Sequence, residues 1–204
     1  MPLLIGLTGG IGSGKSAVAN RLVQKGAGLV DTDAIAHALT GPEGAAMPDI
    51  AAVFGAELIS PDGALNRAAM RGLIFKDPAQ KTLLENILHP RIRAIAKARQ
   101  QALEDHVPYV LLAVPLLTEI GPNAYPCDRI LLVDCPENEQ IRRVMARSQL
   151  TRSDVEAIMA QQASRAERRA IADDILLNDS TLSALEAAID TLHTRYLTLA
   201  TRPR

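Results

Sequence analysis

The sequence predicts an α/β fold built on a mostly parallel sheet of five strands, and two observations carry this prediction. Five short apolar runs are separated by segments with helical patterning, the alternation that builds such a sheet. The first run, residues 3–7, leads into a glycine-rich stretch and then into a helical pattern. Ligands of such sheets bind beyond the carboxyl ends of the strands, so we expect the site along that edge.

The predicted strands are short and apolar, as expected of strands covered on both faces. The clearest is residues 109–114, whose six residues are all apolar or aromatic. The predicted strands cover residues 3–7, 29–31, 109–114, 129–134 and 174–178.

Helical patterning fills the segments between these strands. A first helix follows the glycine-rich stretch, and a second is predicted to begin near Asp33 and to end at Gly41-Pro42. Residues 48–101 are predicted to be mostly helical. Turn-forming residues predict breaks in that segment at Gly55, at residues 60–63, at Asp77-Pro78 and at His89-Pro90.

Two later helices carry clearer signals. Pro136 introduces a helix with Ile141, Val144 and Met145 on one face. The last helix is predicted to start with a capping box formed by Ser183 and Glu186. Its apolar stripe contains Leu185, Ile189, Leu192 and Tyr196.

Composition limits the classes of protein that need to be considered. At 204 residues with 48% hydrophobic residues, the chain suits one domain with a substantial core and possible inserted subdomains. A formal net charge of −1 gives no global reason to expect nucleic acid or an anionic membrane as a partner. Cys127 and Cys135 form no CxxC pair, which is typical of a reduced intracellular protein.

The sequence also predicts no membrane association. Residues 1–7 lack the basic start and the apolar length of a signal peptide. The most apolar later stretch, residues 107–117, contains Pro108 and Pro115 and is too short to span a bilayer. We therefore expect a soluble, cytoplasmic protein.

Residues 9–16 carry the pattern G-x-x-x-x-G-K-S between a predicted strand and a predicted helix, as a phosphate-binding loop requires. Glycines let the backbone N–H groups reach phosphate oxygens, and the following helix adds unpaired N–H donors. Lys15 is expected to reach the β- and γ-phosphates of ATP, and the Ser16 hydroxyl to ligate Mg²⁺. The alternative is a glycine-rich turn that matches by chance. The predicted ATP-binding residues of the loop are Gly10, Ile11, Gly12, Ser13, Gly14, Lys15, Ser16 and Ala17.

Asp31-Thr32-Asp33 ends the second predicted strand and supplies carboxylates near the expected site. The Asp33 carboxylate could take the proton of an acceptor hydroxyl, or orient that hydroxyl for attack on the γ-phosphate. The alternative is that Asp33 caps the following helix, which its residue type and position also suit. The loop favours the catalytic role, and the two roles can coexist.

Seven arginines lie between residues 142 and 169, against three acidic residues. Guanidinium groups suit phosphate oxygens, and a mobile helical flap that carries them could close over ATP. The alternative is a solvated helix face, which would explain most of these side chains. Arg143 and Arg147 are the favoured nucleotide contacts because they lie four residues apart on one helical face.

Other polar residues carry weaker signals. His89 is more simply explained by a structural role than as a ligand, and Glu119 is either a carboxylate at the site or a surface residue. His37, His106 and His193 share no motif and receive no role. The sequence has neither an N-K-x-D base-recognition motif nor a Rossmann spacing.

Several separated motifs together resemble the dephospho-CoA kinase family, and the resemblance covers nearly the whole chain in the family's order. The loop itself is generic, whereas the set is specific. The matching stretches are residues 7–16, residues 31–33 with 35–37, residues 88–90, residues 114–117 with Glu119, Gln140 with Arg143 and Arg147, Gln162, and residues 172–175 with Asn178.

The resemblance implies a fold like that of nucleoside-monophosphate kinases of the P-loop NTPase class. It also implies phosphorylation of the ribose 3′-hydroxyl of dephospho-CoA by ATP with Mg²⁺, the last step of coenzyme A synthesis. The implied organisation is a discontinuous core (about residues 1–34, 107–140 and 170–204), a helical substrate subdomain (about 35–106) and a lid (about 141–169). A monomer or weak homo-oligomer is expected.

The resemblance also implies residue roles. Asp33, Lys15 and Arg143 are the implied catalytic residues, and Arg143, Arg147 and Asn178 join the loop in ATP binding, with Asn178 near the adenine. The implied substrate-binding residues are Asp33, His89, Pro115, Leu116 and Glu119. Thr32, Ala17 and the Asn178-Asp179-Ser180 stretch, which lacks a glycine, depart from the family pattern.

Two other functions are compatible with the motifs. One is another small-molecule or nucleoside-monophosphate kinase of the same fold. The other is a nucleotide sensor that binds ATP without turnover and signals through closure of its lid. The carboxylate and the arginines together favour transfer chemistry over the sensor.

Overall fold

The computed structural model describes residues 2–201. The chain forms two compact units. The first contains the residues up to Val30 and those from Gln100 onward, and the second contains Asp31–Arg99. We describe each unit separately.

A five-stranded sheet organises the first unit, with the strand order β2-β3-β1-β4-β5. The strands are β1 (Leu3–Thr8), β2 (Gly28–Asp31), β3 (Tyr109–Ala113), β4 (Arg129–Asp134) and β5 (Asp174–Leu177). The pairs β1–β3, β1–β4 and β4–β5 are parallel; Leu3 pairs with Tyr109, and Leu131 with Asp174. Since β1 is the central strand, the glycine-rich loop leaves from the middle of the sheet. The predicted fold class is confirmed.

Helices account for most of the remaining chain, and we number them in chain order. They are α1 (Lys15–Gln24), α2 (Thr32–Leu39), α3 (Met47–Phe54), α4 (Arg67–Lys76), α5 (Pro78–Ala102), α6 (Leu117–Ile120), α7 (Glu137–Ser148), α8 (Arg152–Met159), α9 (Arg165–Ala170) and α10 (Leu182–Ala200). None of the helices described between residues 2 and 201 combines the length and apolarity needed to cross a bilayer.

The core of the first unit lies between the sheet, α1 and α10. Every residue of β1 and β3 is buried, because strands in the middle of the sheet are covered on both faces. The predicted stripe of α10 faces this core, with Leu185, Ile189 and Tyr196 buried and Leu192 partly buried. The apolar pattern therefore defines the inner face of α10 correctly.

A buried carboxylate ties α10 to the sheet. Asp174, the first residue of β5, accepts hydrogen bonds from Arg129 Nε at 2.8 Å and from the Tyr196 hydroxyl at 3.1 Å. Arg195 pairs with its other oxygen at 2.5 Å. A buried charge is stable only when it is paired and hydrogen-bonded, and these three donors meet that requirement.

The predicted capping box of α10 is wrong. The helix begins at Leu182, and its N-cap is Thr181, whose hydroxyl oxygen accepts the Ala184 N–H at 3.3 Å. Ser183 therefore lies inside the first turn. Glu186 instead pairs with Arg21 of α1 at 2.8 Å. Thr181 and Ser183 both carry a hydroxyl group that suits an N-cap, and the Ser-x-x-Glu pattern predicted the wrong one.

The predicted inner face of α7 is also partly wrong. Ile141 and Val144 are buried, as expected, but Met145 is 38% exposed. Gln140 joins the buried face because its side-chain amide donates to the Cys135 carbonyl at 2.6 Å. At 100° per residue, a face centred on residues 140, 141 and 144 leaves residue 145 at its margin.

The second unit contains α2, α3, α4 and most of α5. The predicted break at Gly55 is confirmed, since this residue ends α3 with a φ of 86°. The break at Asp77-Pro78 is confirmed as well. Asp77 ends α4, and its carboxylate accepts the Ala79 N–H at 3.0 Å as α5 begins.

The predicted break at His89-Pro90 is wrong. α5 runs for 25 residues with Pro90 inside it. A proline in a helix interior costs about 3 kcal/mol because it donates no backbone hydrogen bond and crowds the preceding turn. Arg91 supports this turn with its side chain, which donates to the Ile87 carbonyl at 2.9 Å and pairs with Asp49. Tertiary packing here outweighs the local signal.

Both cysteines are free thiols, Cys135 buried and Cys127 partly buried. Burial, followed by the neighbouring Asp128 carboxylate, raises the pKa of Cys127 to about 12. Such a thiol is unreactive at neutral pH, because the thiolate is the reactive form.

The cap of α10 is open to a direct stability test. Thr181→Ala should lower the free energy of unfolding by about 1 kcal/mol, because it removes the hydroxyl that accepts the Ala184 N–H at the N-cap. Ser183→Ala should change it by less than about 0.5 kcal/mol, since this residue lies inside the helix. Urea unfolding of the two variants measures both values. A larger loss for Ser183→Ala would show that the capping box is the true start.

Candidate active site

The glycine-rich loop joins β1 to α1, and its backbone conformation requires glycine at two positions. Gly12 and Gly14 have φ values of 72° and 91°, in the left-handed region. A Cβ on Gly12 would also lie 2.7 Å from the Gln140 carbonyl oxygen, and one on Gly14 would collide with the Asn178 amide. Gly14 is the N-cap of α1 and offers no side chain to cap it. The first N–H groups of the helix are thus available to phosphate oxygens.

Two side-chain amides from residues distant in sequence hydrogen-bond to the backbone of the loop. The Asn178 amide nitrogen, buried just after β5, donates to the Ser13 carbonyl at 2.8 Å. The Gln162 amide oxygen accepts the Ile11 N–H at 3.0 Å. Asn178 therefore supports the loop backbone directly, and its predicted place near the adenine remains a prediction.

Arg168 lies against the start of the loop. It is only 6% exposed, and a Cβ on Gly10 would lie 2.9 Å from its Nη2 atom. Its guanidinium also donates to the Ala163 carbonyl. Burial lowers the pKa of Arg168, and the nearby carboxylates of Glu119 and Asp134 oppose this shift. Because an arginine stays protonated despite such a shift, this is a fixed positive charge beside the loop.

Arg143 of α7 also lies beside the loop. A Cβ on Gly14 would be 3.8 Å from its Nη1 atom, and its Nε donates to Glu139 at 2.9 Å. The hydrogen bond from Arg142, supported by the one from Arg143, outweighs the opposing effect of burial and lowers the pKa of Glu139 to about 2. Arg147 is exposed and donates to the Ser148 hydroxyl at 3.4 Å. Of the two favoured arginines, Arg143 is the one placed at the loop.

Two further arginines of the cluster form ion pairs with a buried carboxylate. Asp134, at the end of β4, is 3% exposed and accepts from Arg165 at 2.8 and 2.9 Å and from Arg169. Burial alone would raise the pKa of Asp134, but the hydrogen bonds from the two guanidinium groups outweigh it and lower the pKa. These arginines thus attach α9 to the sheet.

In the second unit, α2 is capped by Asp31 rather than Asp33. The Asp31 carboxylate accepts the N–H groups of Asp33 at 2.9 Å and of Ala34 at 3.3 Å. The alternative role of Asp33 as a helix cap is therefore wrong. Asp33 is exposed in the first turn of α2 and lines a cavity of about 510 Å³ with Ala34, Ala36, His37 and Arg67.

The contacts of the remaining predicted site residues do not by themselves indicate a role in binding. The Pro115 carbonyl accepts the Thr8 hydroxyl at 3.2 Å, and Leu116 is 43% exposed. Glu119 accepts the Ala163 N–H at 2.8 Å, next to the segment that carries Arg168. His89 is partly buried on α5. Their roles in substrate binding remain predictions.

The sequence motifs do not single out several residues that hold the loop or line the cavity beside Asp33. Arg168 belonged to the arginine cluster, but no periodicity distinguished it from its neighbours. Gln162 and Gln140 belong only to the stretches that resemble the family, and Arg67 lies outside every motif. The distance in sequence between Ile11 and Gln162, 151 residues, explains why no local pattern could have linked them.

Fold and loop together define a class. A parallel sheet whose central strand runs into G-x-x-x-x-G-K-S, with arginines beside that loop, defines a nucleotide-binding protein of the P-loop NTPase class. The sequence model of the dephospho-CoA kinase family matches residues 3–184. The chain belongs to the dephospho-CoA kinase family.

Individual relatives agree with this assignment. A dephospho-CoA kinase of Dechloromonas aromatica is 53% identical over 197 residues, covering 97% of this chain and 94% of the relative. One from Burkholderia lata is 52% identical over 201 residues and 98% of each chain. The crystal structure of TT1252 from Thermus thermophilus matches with a TM-score of 0.83 at 36% identity, covering 95% of this chain and 97% of that one. A dephospho-CoA kinase from Campylobacter jejuni shares the fold, with a TM-score of 0.69 at 20% identity over 97% of this chain and 98% of that one.

The Asp134 ion pairs should give the protein a specific pH dependence. Because the pKa of Asp134 is lowered on folding, its carboxylate stabilises the protein above the ordinary value of 3.8. That contribution is lost as the pH falls through the folded value. Asp134→Asn should therefore cost about 1–3 kcal/mol at pH 7, since it leaves two partly exposed arginines unpaired. The loss of unfolding free energy caused by Asp134→Asn should become smaller at pH values below 3.8.

Urea unfolding of both proteins at a series of pH values measures this difference. The exposed Asp179 supplies the matched control, since Asp179→Asn removes a carboxylate that forms no such ion pair among the described residues. A deficit for Asp134→Asn that stays constant down to pH 3 would contradict the assigned role.

Proposed function

We propose that the chain transfers the γ-phosphoryl group of ATP to the ribose 3′-hydroxyl of dephospho-CoA with Asp33 as the base. Family membership establishes ATP-dependent phosphorylation of dephospho-CoA in coenzyme A biosynthesis. The reacting hydroxyl and the residue roles are our proposal. The observation that supports them is the capping of α2 by Asp31, since the Asp33 carboxylate then lines a cavity instead of closing a helix end.

The proposed donor half uses the loop and its neighbouring cations. Residues 10–17 are the proposed ATP contacts of the loop, and its backbone N–H groups other than those of Ile11 and Ser13, which are bonded within the protein, bind the phosphates. Lys15 reaches the β- and γ-phosphates. Arg143 stabilises the charge that develops on the transferred group, and Arg147 and Asn178 complete the proposed ATP contacts. The position of Arg143 beside Gly14 supports this role.

The proposed acceptor half uses Asp33. As the ribose oxygen attacks, a new O–P bond forms, the bond from the γ-phosphorus to the bridging oxygen breaks, and ADP leaves. The hydroxyl proton passes to the Asp33 carboxylate, which also orients the hydroxyl for in-line attack. His89, Pro115, Leu116 and Glu119 are proposed acceptor contacts. Positioning and charge stabilisation supply most of the rate enhancement.

Mg²⁺ is the proposed cofactor, and the donor chemistry of this chain suits it. Ser16 places a hydroxyl oxygen in the first turn of α1, directly after Lys15. Mg²⁺ prefers oxygen ligands and is commonly held by few protein groups together with the phosphates of its nucleotide. When bound, the ion neutralises phosphate charge. Ser16 would hold it.

The proposed organisation follows the roles of these residues. Residues 35–106 form the acceptor-binding subdomain, supported by the cavity beside α2. Residues 141–169 form a lid, supported by the contacts of Gln162 and Arg168 with the loop. The proposed setting is the cytoplasm.

The base assignment predicts different effects for two neighbouring aspartates. Asp33→Asn should lower kcat by at least about a hundredfold, because an amide cannot take the hydroxyl proton, while the KM for ATP changes little. Asp31→Asn is the matched control. It also removes one carboxylate, yet asparagine caps helices as well as aspartate does. Steady-state kinetics of both variants measure the effect, and nearly full activity of Asp33→Asn would refute the assignment.

The substrate and the donor site are tested together. ADP release should be fastest with dephospho-CoA in a panel that also contains AMP, CMP and shikimate. Lys15→Ala should abolish this turnover, because it removes the cation at the β- and γ-phosphates. A strong preference for another acceptor would identify a different kinase of this fold. ATP binding without repeated ADP release would instead identify a nucleotide sensor.

A further inference from the structure

Arg67 is the first residue of α4, and one atom of its guanidinium, Nη2, makes both of its side-chain contacts. Its Nη2 atom lies 2.7 Å from Nδ1 of His37 and 2.7 Å from the hydroxyl oxygen of Thr40. The Thr40 hydroxyl donates its own proton to the Ala36 carbonyl at 2.8 Å, so it accepts from Arg67. A guanidinium has no acceptor, which makes Nδ1 of His37 the acceptor in the other contact.

The contacts with His37 and Thr40 leave most of the guanidinium available. An arginine carries five N–H donors, of which Nη2 supplies two. Both donors of Nη2 are directed to His37 and Thr40. Among residues 2–201, no acceptor is bound to Nη1 or Nε of Arg67. Three donors on a fixed cation therefore remain for a ligand.

The cavity beside α2 places this cation with the proposed base. Its lining contains one carboxylate, from Asp33, and one permanent positive charge, from Arg67, together with Ala34, Ala36 and His37. A carboxylate suits a hydroxyl group, and a guanidinium suits phosphate oxygens. A single ligand that carries a hydroxyl and a phosphate or diphosphate group satisfies both.

We propose that Arg67 binds the diphosphate group of the acceptor, and that His37 and Thr40 are positioning residues that aim its guanidinium. This inference rests on the proposed function, because it takes the acceptor to be dephospho-CoA. That molecule carries its reacting hydroxyl and its diphosphate on one ribose. Asp33 then selects the hydroxyl, and Arg67 distinguishes a phosphorylated nucleoside from a bare one.

Arg67→Ala tests the assignment. It should raise the KM for dephospho-CoA about tenfold to a hundredfold, because a charge-assisted hydrogen bond pair is lost. The KM for ATP should stay within about twofold of the parent, as for any residue outside the donor site. Arg71→Ala is the matched control. Arg71 lies one turn further along α4, carries the same charge and does not line the cavity.

Calorimetric titration gives a second measurement that does not depend on turnover. Dephospho-CoA is titrated into each protein that has been saturated with a non-hydrolysable ATP analogue. Arg67→Ala should weaken this binding by the same factor, whereas Arg71→Ala should bind like the parent. Equal weakening in the two variants would show that Arg67 acts only through its general positive charge, and this would overturn the proposal.

Two variants at position 37 test the positioning role. His37→Ala should weaken dephospho-CoA binding, because Arg67 loses an acceptor. His37→Asn should restore most of it, since the asparagine oxygen can accept in place of Nδ1. If both variants bind dephospho-CoA like the parent protein, His37 does not position Arg67.

Adenosine separates the failure of this inference from failure of the proposed function. Adenosine has the ribose hydroxyl without the diphosphate, so Arg67→Ala should change kcat/KM for adenosine by less than about threefold. A parent protein that does not phosphorylate dephospho-CoA would refute the proposed function. An active parent whose dephospho-CoA binding is insensitive to Arg67→Ala would refute this inference alone.

If thermal unfolding shows that Arg67→Ala is unfolded, Arg67→Lys replaces it in the same titration. Weakened binding of dephospho-CoA to Arg67→Lys supports the proposal, and parent-like binding overturns it.

Discussion

The close approach of the loop backbone to its neighbours is the constraint on which the nucleotide site depends. Left-handed φ values at Gly12 and Gly14, and the lack of room for a Cβ at either, fix the path of the chain into α1. The direction of the first N–H groups of α1 follows from that path. Asn178 holds the Ser13 carbonyl at 2.8 Å, so the protein itself supports this loop conformation. A preorganised donor site loses little free energy in ordering itself.

The arginines of residues 142–169 show how one composition signal divides into several functions. Arg143 and Arg168 lie at the loop, whereas Arg165 and Arg169 neutralise the buried Asp134. A solvated helix face, the simpler explanation of such a cluster, applies to exposed members such as Arg147. A high density of arginines in a sequence therefore indicates a cationic region. Which of these arginines faces a ligand depends on the carboxylates and carbonyl groups that each one contacts in the fold.

Local patterns predicted the sheet, the loop and the inner face of α10, because each depends on residues close together in the chain. The errors arose where distant residues decide the outcome. Pro90 signals a helix end, but the contacts of Arg91 with Ile87 and Asp49 support α5 through it. Asp31 and Asp33 are equally good caps, and only the backbone shows which one the helix uses. The contacts of Gln162 and Arg67 have no sequence signature, since their partners are 151 and about 30 residues away.

The paired carboxylate at the start of β5 links the end of the chain to its beginning. Asp174 binds Tyr196 and Arg195 of α10 on one side, and four residues later the same segment ends in Asn178, which holds Ser13. The last helix is therefore a mechanical support of the nucleotide loop, although no residue of it belongs to the proposed site. We therefore expect ATP binding to depend, through this strand, on Tyr196 and Arg195, which lie outside the proposed site.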